Sequence, residues 1–182
     1  AGPTGRPEVL YVGAEYCPYC AAERWSLIVA LSRFGTFSGV RPAASSATDV
    51  FPSTPTFTFA GATYTSPYVD LVAIEQDAGG AGRPAPAVPA PQRDLMQRHG
   101  GGIPFIDFGN RAVVTGATYS PGMLQGMSQH QVAVSLQDLS SQQARAILGS
   151  ANLLTAAICL ATEQRPADVC SSAGVLAASA HL

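Results

Sequence analysis

Hydrophobic side chains fall along this chain in patterns that predict several strands and helices. Residues 9–12 form an unbroken apolar run, which predicts a buried strand, and residues 21–34 follow as a largely apolar helix. Residues 56–59 alternate polar and apolar side chains, as a half-buried strand does, and residues 68–74 form a denser apolar strand. We expect a hairpin turn at residues 60–61 to join the last two.

The middle of the chain is punctuated by glycine and proline. A second hairpin is predicted where a strand entered through Pro104 (residues 103–108) meets residues 112–115 across the Gly109-Asn110 turn. The remaining predicted segments are a short strand at 37–43, a loop rich in Ser, Thr and Pro at 45–55, and a short helix at 91–99.

The C-terminal part has helical periodicity. Apolar residues recur at spacings of three and four between Ala144 and Ile158, which predicts an amphipathic helix. Ser140 and Gln143 have the spacing of a capping box at its start. Pro166 should break the helix, because proline disfavours helical geometry in the residue before it, and then open a second helix.

The four cysteines fall into two pairs with different spacings. On one unbroken helix Cys159 and Cys170 would lie about 16 Å apart, whereas a disulfide requires Cα atoms roughly 4.4–6.8 Å apart. We therefore predict that the chain folds back at Pro166 into a helical hairpin clamped by a Cys159–Cys170 disulfide. A structural bridge of this kind favours an oxidising compartment, although the pair could instead be a relay that passes electrons on.

Composition limits the remaining possibilities. A chain of 182 residues with 47% hydrophobic and 12% charged side chains suits a single domain over residues 1–182. Within it we expect a flexible N-terminal segment (1–7), a Gly/Ala/Pro-rich surface insertion (79–93) and a C-terminal helical region (140–182). The net charge of −2 gives no basic field to attract phosphates, so we do not expect nucleic acid as a partner. The sequence has no uninterrupted run of eighteen apolar residues, so we do not expect a membrane span.

The pair with catalytic spacing lies in the motif Cys-Pro-Tyr-Cys, between the first strand and the first helix. At a helix N-terminus, unpaired backbone N–H groups and the helix dipole favour thiolate over thiol in Cys17. Pro18 suits the first helical position. These features indicate a thiol–disulfide oxidoreductase in which Cys17, the more exposed thiol, is the nucleophile and Cys20, one turn into the helix, is the resolving thiol.

Two alternatives for this motif are an inert disulfide and half of a zinc site. Zinc needs four ligands, and His99, His130 and His181 make no ligand spacing with the cysteines. We therefore expect no metal and no cofactor. The Gly-rich stretches also lack the spacing of a nucleotide-binding loop.

Together, the strand, the Cys-Pro-Tyr-Cys motif, the helix, the distant hairpin and the terminal helix resemble the thioredoxin superfamily. The same dithiol occurs in many glutaredoxins and is close to that of the periplasmic oxidase group. Two further stretches, Thr54-Pro55-Thr56-Phe57 and the Gly-Ile-Pro-Phe-Ile-Asp-Phe-Gly-Asn sequence at residues 102–110, extend the likeness. With them, the whole chain also resembles an uncharacterised prokaryotic thioredoxin-like family of unknown function. The resemblance implies a thioredoxin-like α/β fold, with a mixed central sheet flanked by helices, and a cis proline beside the dithiol. Ile103-Pro104 matches the position of that proline.

The resemblance and the residues together suggest further roles. If the Ile103-Pro104 bond is cis, the backbone of Ile103 is free to pair with an extended substrate. Thioredoxins have a buried Asp six residues before the first cysteine, and this chain has Tyr11 there instead. Glu23 is a candidate proton relay that could replace it, and Glu15 also flanks the motif, although both could equally be solvated surface carboxylates.

Aromatic residues surround the motif. Tyr16, Tyr19 and Trp25 could form an apolar substrate surface beside Cys17 and Pro18, or could be ordinary half-buried aromatics. The expected substrates are exported proteins or small thiols and disulfides, with a membrane redox partner as a further candidate. We expect an extracytoplasmic location, with an N-terminal signal or anchor outside this sequence.

Two other functions stay open at this point. One is a non-catalytic binding or assembly module that keeps the scaffold with a locked Cys17–Cys20 disulfide, since one fold can host many functions. The other is a glutaredoxin-type enzyme linked to glutathione, which the Pro-Tyr pair between the cysteines suggests.

Overall fold

A mixed sheet flanked by helices forms the centre of the protein in a computed structural model that describes residues 1–76 and 86–182. The strands are β1 (Glu8–Gly13), β2 (Thr36–Ser38), β3 (Arg41–Ala44), β4 (Pro55–Thr58), β5 (Thr63–Thr65), β6 (Asp70–Glu75), β7 (Phe105–Phe108) and β8 (Ala112–Thr115). The helices are α1 (Pro18–Leu31), α2 (Ala90–Arg98), α3 (Gln129–Ser135), α4 (Gln142–Ala161), α5 (Ala167–Cys170) and α6 (Ala173–Ser179), with a 3-10 helix at Pro121–Leu124.

Strand β1 lies inside the central sheet, whose order is β6-β1-β7-β8. It pairs in parallel with β6, where Leu10 lies opposite Val72, and antiparallel with β7, where Leu10 lies opposite Asp107. Strands β7 and β8 form the predicted hairpin, and Asn110 takes a positive φ of 57° in its turn. Because β1 has a neighbour on each side and is covered on both faces, its apolar run is unbroken.

The two faces of β1 contact different helices. Val9 and Tyr11 pack into the large core formed with α1 and α4, whereas Leu10 and Val12 pack with Met96 of α2. This alternation follows from the two-residue period of a strand. The predicted helix at 91–99 is therefore present, and it covers the second face of the sheet.

Helix α4 is, within the described residues, the one helix that is long and apolar enough to cross a membrane by length and composition. Just over half of its apolar stretch, 56%, is buried inside the protein. Its buried residues, among them Ile147, Leu154 and Ile158, lie in the cores shared with α1. This packing accounts for the apolar character of α4.

The predicted hairpin at residues 60–61 is wrong. The turn is present, since the N–H of Ala62 donates to the carbonyl of Phe59 at 2.9 Å, but it leads into β5, which pairs with β2. Strand β4 pairs instead with β3, and β6 pairs with β1. The single strand expected at 37–43 is two strands, because the chain turns at Gly39, whose φ of 75° suits glycine.

The start of α4 also differs from the prediction. Ser141, not Ser140, is the N-cap, and its hydroxyl accepts a hydrogen bond from the N–H of Ala144 at 3.0 Å. Ser140 bonds to Asp138 instead. A capping box does occur at Ser128 and Gln131, where it begins the unpredicted helix α3.

The helical hairpin at the C-terminus is confirmed. Helix α4 ends at Ala161, and Glu163 and Gln164 adopt positive φ values of 55° and 62° where the chain turns back before Pro166. Cys159 and Cys170 form a disulfide with their Cα atoms 5.7 Å apart. Helix α6 then packs against α4 through Val175.

Two further segments were assigned from sequence. The N-terminal segment 1–7, expected to be flexible, is held to the start of β6: the N–H and hydroxyl of Thr4 donate to the carboxylate of Asp70, and Arg6 lies 3.7 Å from it. Of the insertion expected at 79–93, residues 79–85 lie outside the described residues, whereas residues 90–93 begin helix α2.

Candidate functional site

The Cys-Pro-Tyr-Cys motif lies where β1 passes into α1. Cys17 is the N-cap of α1 and Pro18 occupies the first turn, as predicted. The N–H of Cys20 donates to Cys17 Sγ at 3.2 Å, so the first sulfur accepts one of the helix's unpaired N–H groups. The two cysteines are free thiols in this structure.

Exposure of the thiols differs from the prediction. Cys17 is only 6% exposed and Cys20 is fully buried. The expected order of exposure holds, but an openly exposed nucleophile is not present. The reason is packing: Ala14, Cys17 and Cys20 form a small cluster against which Ile103 packs.

The electrostatic environment separates the two sulfurs. The hydrogen bond from the Cys20 thiol, aided by the N–H groups of Cys20 and Tyr19 and by the charge of Arg24, lowers the pKa of Cys17 to about 7 against the cost of burial. Burial first, and then the hydrogen bond to Cys17, raises the pKa of Cys20. Near neutral pH, Cys17 is therefore the sulfur that carries negative charge.

Ile103 and Pro104 lie beside this pair. The Ile103-Pro104 peptide bond is cis, as predicted, and Pro104 is buried directly before β7. The carbonyl of Pro104 accepts a hydrogen bond from Gly116, at the end of β8, at 2.8 Å. The loop before β7 and the start of α1 thus meet at the dithiol.

Two of the three aromatic residues expected around the motif lie on the surface. Tyr16 is 48% exposed and Tyr19 is 42% exposed, and Tyr19 contacts the ring of Phe51 edge-on. The N–H of Ser46 donates to the carbonyl of Tyr16 at 2.9 Å, which places the 45–54 loop against the motif.

Trp25 is not part of that surface. It is buried, donates its indole N–H to the carbonyl of Pro55 at 2.9 Å, and packs against Phe57. It lies on the face of α1 that contacts β4. Of the two interpretations given for Trp25, the structure therefore supports an aromatic residue of the core rather than part of a substrate surface.

Glu23 is fully buried, which excludes a solvated surface carboxylate. Its Oε2 accepts hydrogen bonds from both the N–H and the hydroxyl of Thr118 at 2.8 Å. Burial raises the pKa of Glu23 to about 7, although the bonds from Thr118 oppose the shift. Within the described part of the chain, this carboxylate is hydrogen-bonded to Thr118 and not to a cysteine. Glu15 is half-buried and accepts a bond from Thr58.

A buried charged group behind the motif was missed by sequence analysis. Arg24 is fully buried on α1, and its Nε and Nη2 bind both carboxylate oxygens of Glu75 at 2.8 and 2.6 Å. Tyr11 lies beneath it, with the guanidinium carbon 5.7 Å from the ring centre. The available signal was a charged residue in an apolar helix, together with a carboxylate at the end of a strand that pairs with β1.

The other candidate residues lie elsewhere. The Cys159–Cys170 disulfide is buried in the core that α4 shares with α1, and not in the cluster of Cys17 and Cys20. His99 is on the surface beside Phe105. In residues 1–76 and 86–182, no three His, Cys, Asp or Glu side chains come together as a metal site would require.

Comparison with known proteins adds one relationship. A family model described as a domain of unknown function (DUF929) matches residues 2–85. This region includes the Cys-Pro-Tyr-Cys motif, Arg24 and Glu75, but not Ile103-Pro104 or the C-terminal disulfide. No curated protein and no solved structure matches the chain.

Proposed function

We propose that the protein is a thiol–disulfide oxidoreductase with a thioredoxin-like scaffold. The observation that carries the proposal is the sulfur of Cys17: it is an N-cap, it accepts hydrogen bonds, and its pKa is lowered to about 7 beside a second free thiol. An inert thiol needs none of these features.

The arrangement of the sheet supports the scaffold. The dithiol follows the carboxyl end of a central strand that has a parallel neighbour on one side and an antiparallel hairpin on the other. A cis proline opens the first strand of that hairpin, next to the cysteines. The superfamily resemblance leads us to expect both features.

The mechanism follows from the separation of the two sulfurs. The Cys17 thiolate attacks a substrate disulfide, forms a mixed disulfide and releases one substrate thiolate. Cys20 then loses its proton and attacks Cys17 Sγ, which releases the second thiolate and leaves a Cys17–Cys20 disulfide. Two electrons pass to the substrate, and the same steps in reverse oxidise a substrate dithiol.

Substrate contacts fit the exposed surface beside Cys17. Tyr16 and Tyr19 present aromatic rings, and the backbone N–H and C=O of Ile103 form no backbone hydrogen bond with the described residues. Such a backbone can pair with an extended chain. We therefore propose protein or small disulfides and thiols as substrates, in an extracytoplasmic compartment that the C-terminal disulfide favours.

The second candidate is a non-catalytic scaffold, and the 6% exposure of Cys17 favours it. A sulfur with so little accessible surface needs movement of its surroundings before a protein disulfide can reach it. Under this alternative the dithiol oxidises once and then stays locked.

Trapping of a mixed disulfide distinguishes the two. Reduced Cys20→Ser protein is mixed with insulin or with glutathione disulfide, quenched with acid, and examined by mass spectrometry, with Cys17→Ser as the matched control. Enzymatic function predicts an adduct on Cys20→Ser only, and turnover of insulin disulfides by the wild type. If neither substrate forms an adduct and the wild type turns over no insulin disulfides, the non-catalytic scaffold is the correct function.

A further inference from the structure

The guanidinium of Arg24 is tied to the dithiol turn as well as to Glu75. Its Nη2 donates to the carbonyl of Ala14 at 2.8 Å, and that same carbonyl accepts the N–H of Cys17 at 3.3 Å. Ala14 therefore links Arg24 directly to the backbone that places the first cysteine. The bidentate bonds to Glu75, which in turn lies opposite Gly13, fix the plane of the guanidinium.

Two buried donors at this place have no hydrogen-bond partner among the described residues: Arg24 Nη1 and the hydroxyl of Tyr11. A Cβ added at Gly13 would collide with that hydroxyl, so the phenol extends along β1 towards the dithiol end. Leaving a buried donor unpaired costs about 1–3 kcal/mol. Such groups suit a site where an anion forms during the reaction.

The charged and titratable groups that face each other here are Tyr11 of β1, Glu75 of β6, and Cys17, Cys20 and Arg24 at the start of α1. Burial opposes the charge of Arg24, but Tyr11 and Glu75 raise its pKa, so it stays cationic. Its charge lowers the pKa of both thiols. Since water is excluded, this interaction is poorly screened.

We infer that Arg24 is a positioning residue of the dithiol: it holds the Ala14 carbonyl and supplies the fixed positive charge that stabilises anionic sulfur. The carboxylate of Glu75 partly neutralises that charge. This inference rests on the proposed function. In the forward reaction the negative charge is on Cys17 before attack and on Cys20 as it loses its proton and attacks Cys17 Sγ. Arg24 stabilises both anions and exchanges no electrons itself.

Charge-changing variants of Arg24 and Glu75 test the inference, because an electrostatic role and a purely structural role predict different shifts in the pKa of Cys17. Arg24→Gln and Glu75→Gln both break a buried ion pair, so both should lower stability. Loss of Arg24 should move the pKa of Cys17 from about 7 towards its ordinary value of 9.0. Loss of Glu75, a negative charge bonded to Arg24, should move the pKa of Cys17 lower, because it leaves the positive charge of Arg24 unopposed. A rise of one unit in the pKa of Cys17 cuts its ionised fraction at pH 7 about fivefold.

The measurement is the pH dependence of Cys17 alkylation in the reduced protein, read by mass spectrometry, with circular dichroism confirming the fold at each pH. The double variant Arg24→Gln/Glu75→Gln leaves no unpaired buried charge, so it controls for variants that fail to fold. It should also raise the pKa of Cys17. Arg24→Lys should keep it near the wild-type value. In Arg24→Gln protein that retains Cys20, the mixed disulfide on Cys17 should resolve more slowly than it does in wild type.

The inference is supported if the pKa of Cys17 shifts in opposite directions in Arg24→Gln and Glu75→Gln and stays close to the wild-type value in Arg24→Lys. It is overturned if the pKa shifts in the same direction in both single variants, or if it does not shift in the folded double variant. Failure of the proposed function gives a different result, because wild-type protein would then form no mixed disulfide although Cys17 could still titrate.

Discussion

At the scale of single residues, the buried carboxyl of Glu23 makes stability depend on pH. Its pKa is raised from 4.5 to about 7 by burial, so the folded state favours the protonated form. The stabilising contribution is therefore complete below pH 4.5 and is lost as the pH rises through 7. We predict that between pH 4.5 and about pH 8 the free energy of unfolding falls about 3 kcal/mol more in wild type than in Glu23→Gln.

Urea unfolding at several pH values measures this difference, and parallel curves for the two proteins would contradict it. The same variant examines the proton relay. If Glu23 passes protons to the dithiol, Glu23→Gln should change the pH profile of disulfide exchange. If Glu23→Gln and wild type exchange disulfides at equal rates at every pH, Glu23 is not a proton relay and its role is limited to its hydrogen bonds with Thr118.

Tyr11 gives a second prediction at this scale. Its buried hydroxyl has no hydrogen-bond partner among the described residues, so Tyr11→Phe removes an unsatisfied group and keeps the ring against Phe59. We expect stability to stay the same or rise by up to about 1 kcal/mol. Chemical denaturation measures the change. A loss of more than about 1 kcal/mol would mean that the hydroxyl is paired in solution.

Some residue-level features were predictable from sequence and others were not. The cap at Cys17 and the position of Pro18 follow from local rules, which need only neighbouring residues. The Arg24–Glu75 pair did not, because its partners are 51 positions apart and meet only when β6 pairs with β1. The burial of Trp25 and Glu23 likewise depends on β4 and on Thr118, which are distant in sequence.

At the scale of elements, the C-terminal hairpin depends on its disulfide. Closing a loop of this length should contribute about 2–4 kcal/mol by restricting the unfolded chain. We predict that Cys159→Ser and Cys170→Ser each lower the free energy of unfolding by this amount, while the rate of disulfide exchange stays near that of wild type. Urea unfolding and an insulin-reduction assay on the folded variants provide the two measurements.

The relay alternative predicts the reverse for these variants. Turnover would collapse in both while Cys17 still forms a mixed disulfide, because electrons could no longer pass between the C-terminal cysteine pair and the dithiol. The location of Cys159 in the core of α4, separate from the cluster of Cys17, supports the structural role.

Element boundaries show where sequence patterns suffice. The β7–β8 hairpin and the break at Pro166 were predicted because Gly109-Asn110 and proline act locally. The pairing of β4 was mispredicted, since alternation identifies a strand but not its neighbour. Ser140 and Ser141 both suit a helix start, and only the path of the chain after Asp138 selects Ser141.

At the scale of the whole molecule, the fold brings three distant segments together at the cysteines. Strand β1 and helix α1 supply the dithiol, the loop before β7 supplies Ile103, and β6 supplies Glu75. The family match over residues 2–85 covers the first and third of these. The sequence predicted the first two segments, whereas the contribution of β6 required its register with β1.

The ionisation of Cys17 tests the whole account most directly. Reduced wild-type protein is alkylated across a pH series, and the rate of modification of Cys17 is followed by peptide mass spectrometry. We predict a midpoint at about pH 7, set by the hydrogen bonds at the start of α1 and by Arg24. A midpoint near 9.0, the ordinary value of a thiol, would contradict the account, as would a Cys17 that resists alkylation at every pH while the protein stays folded.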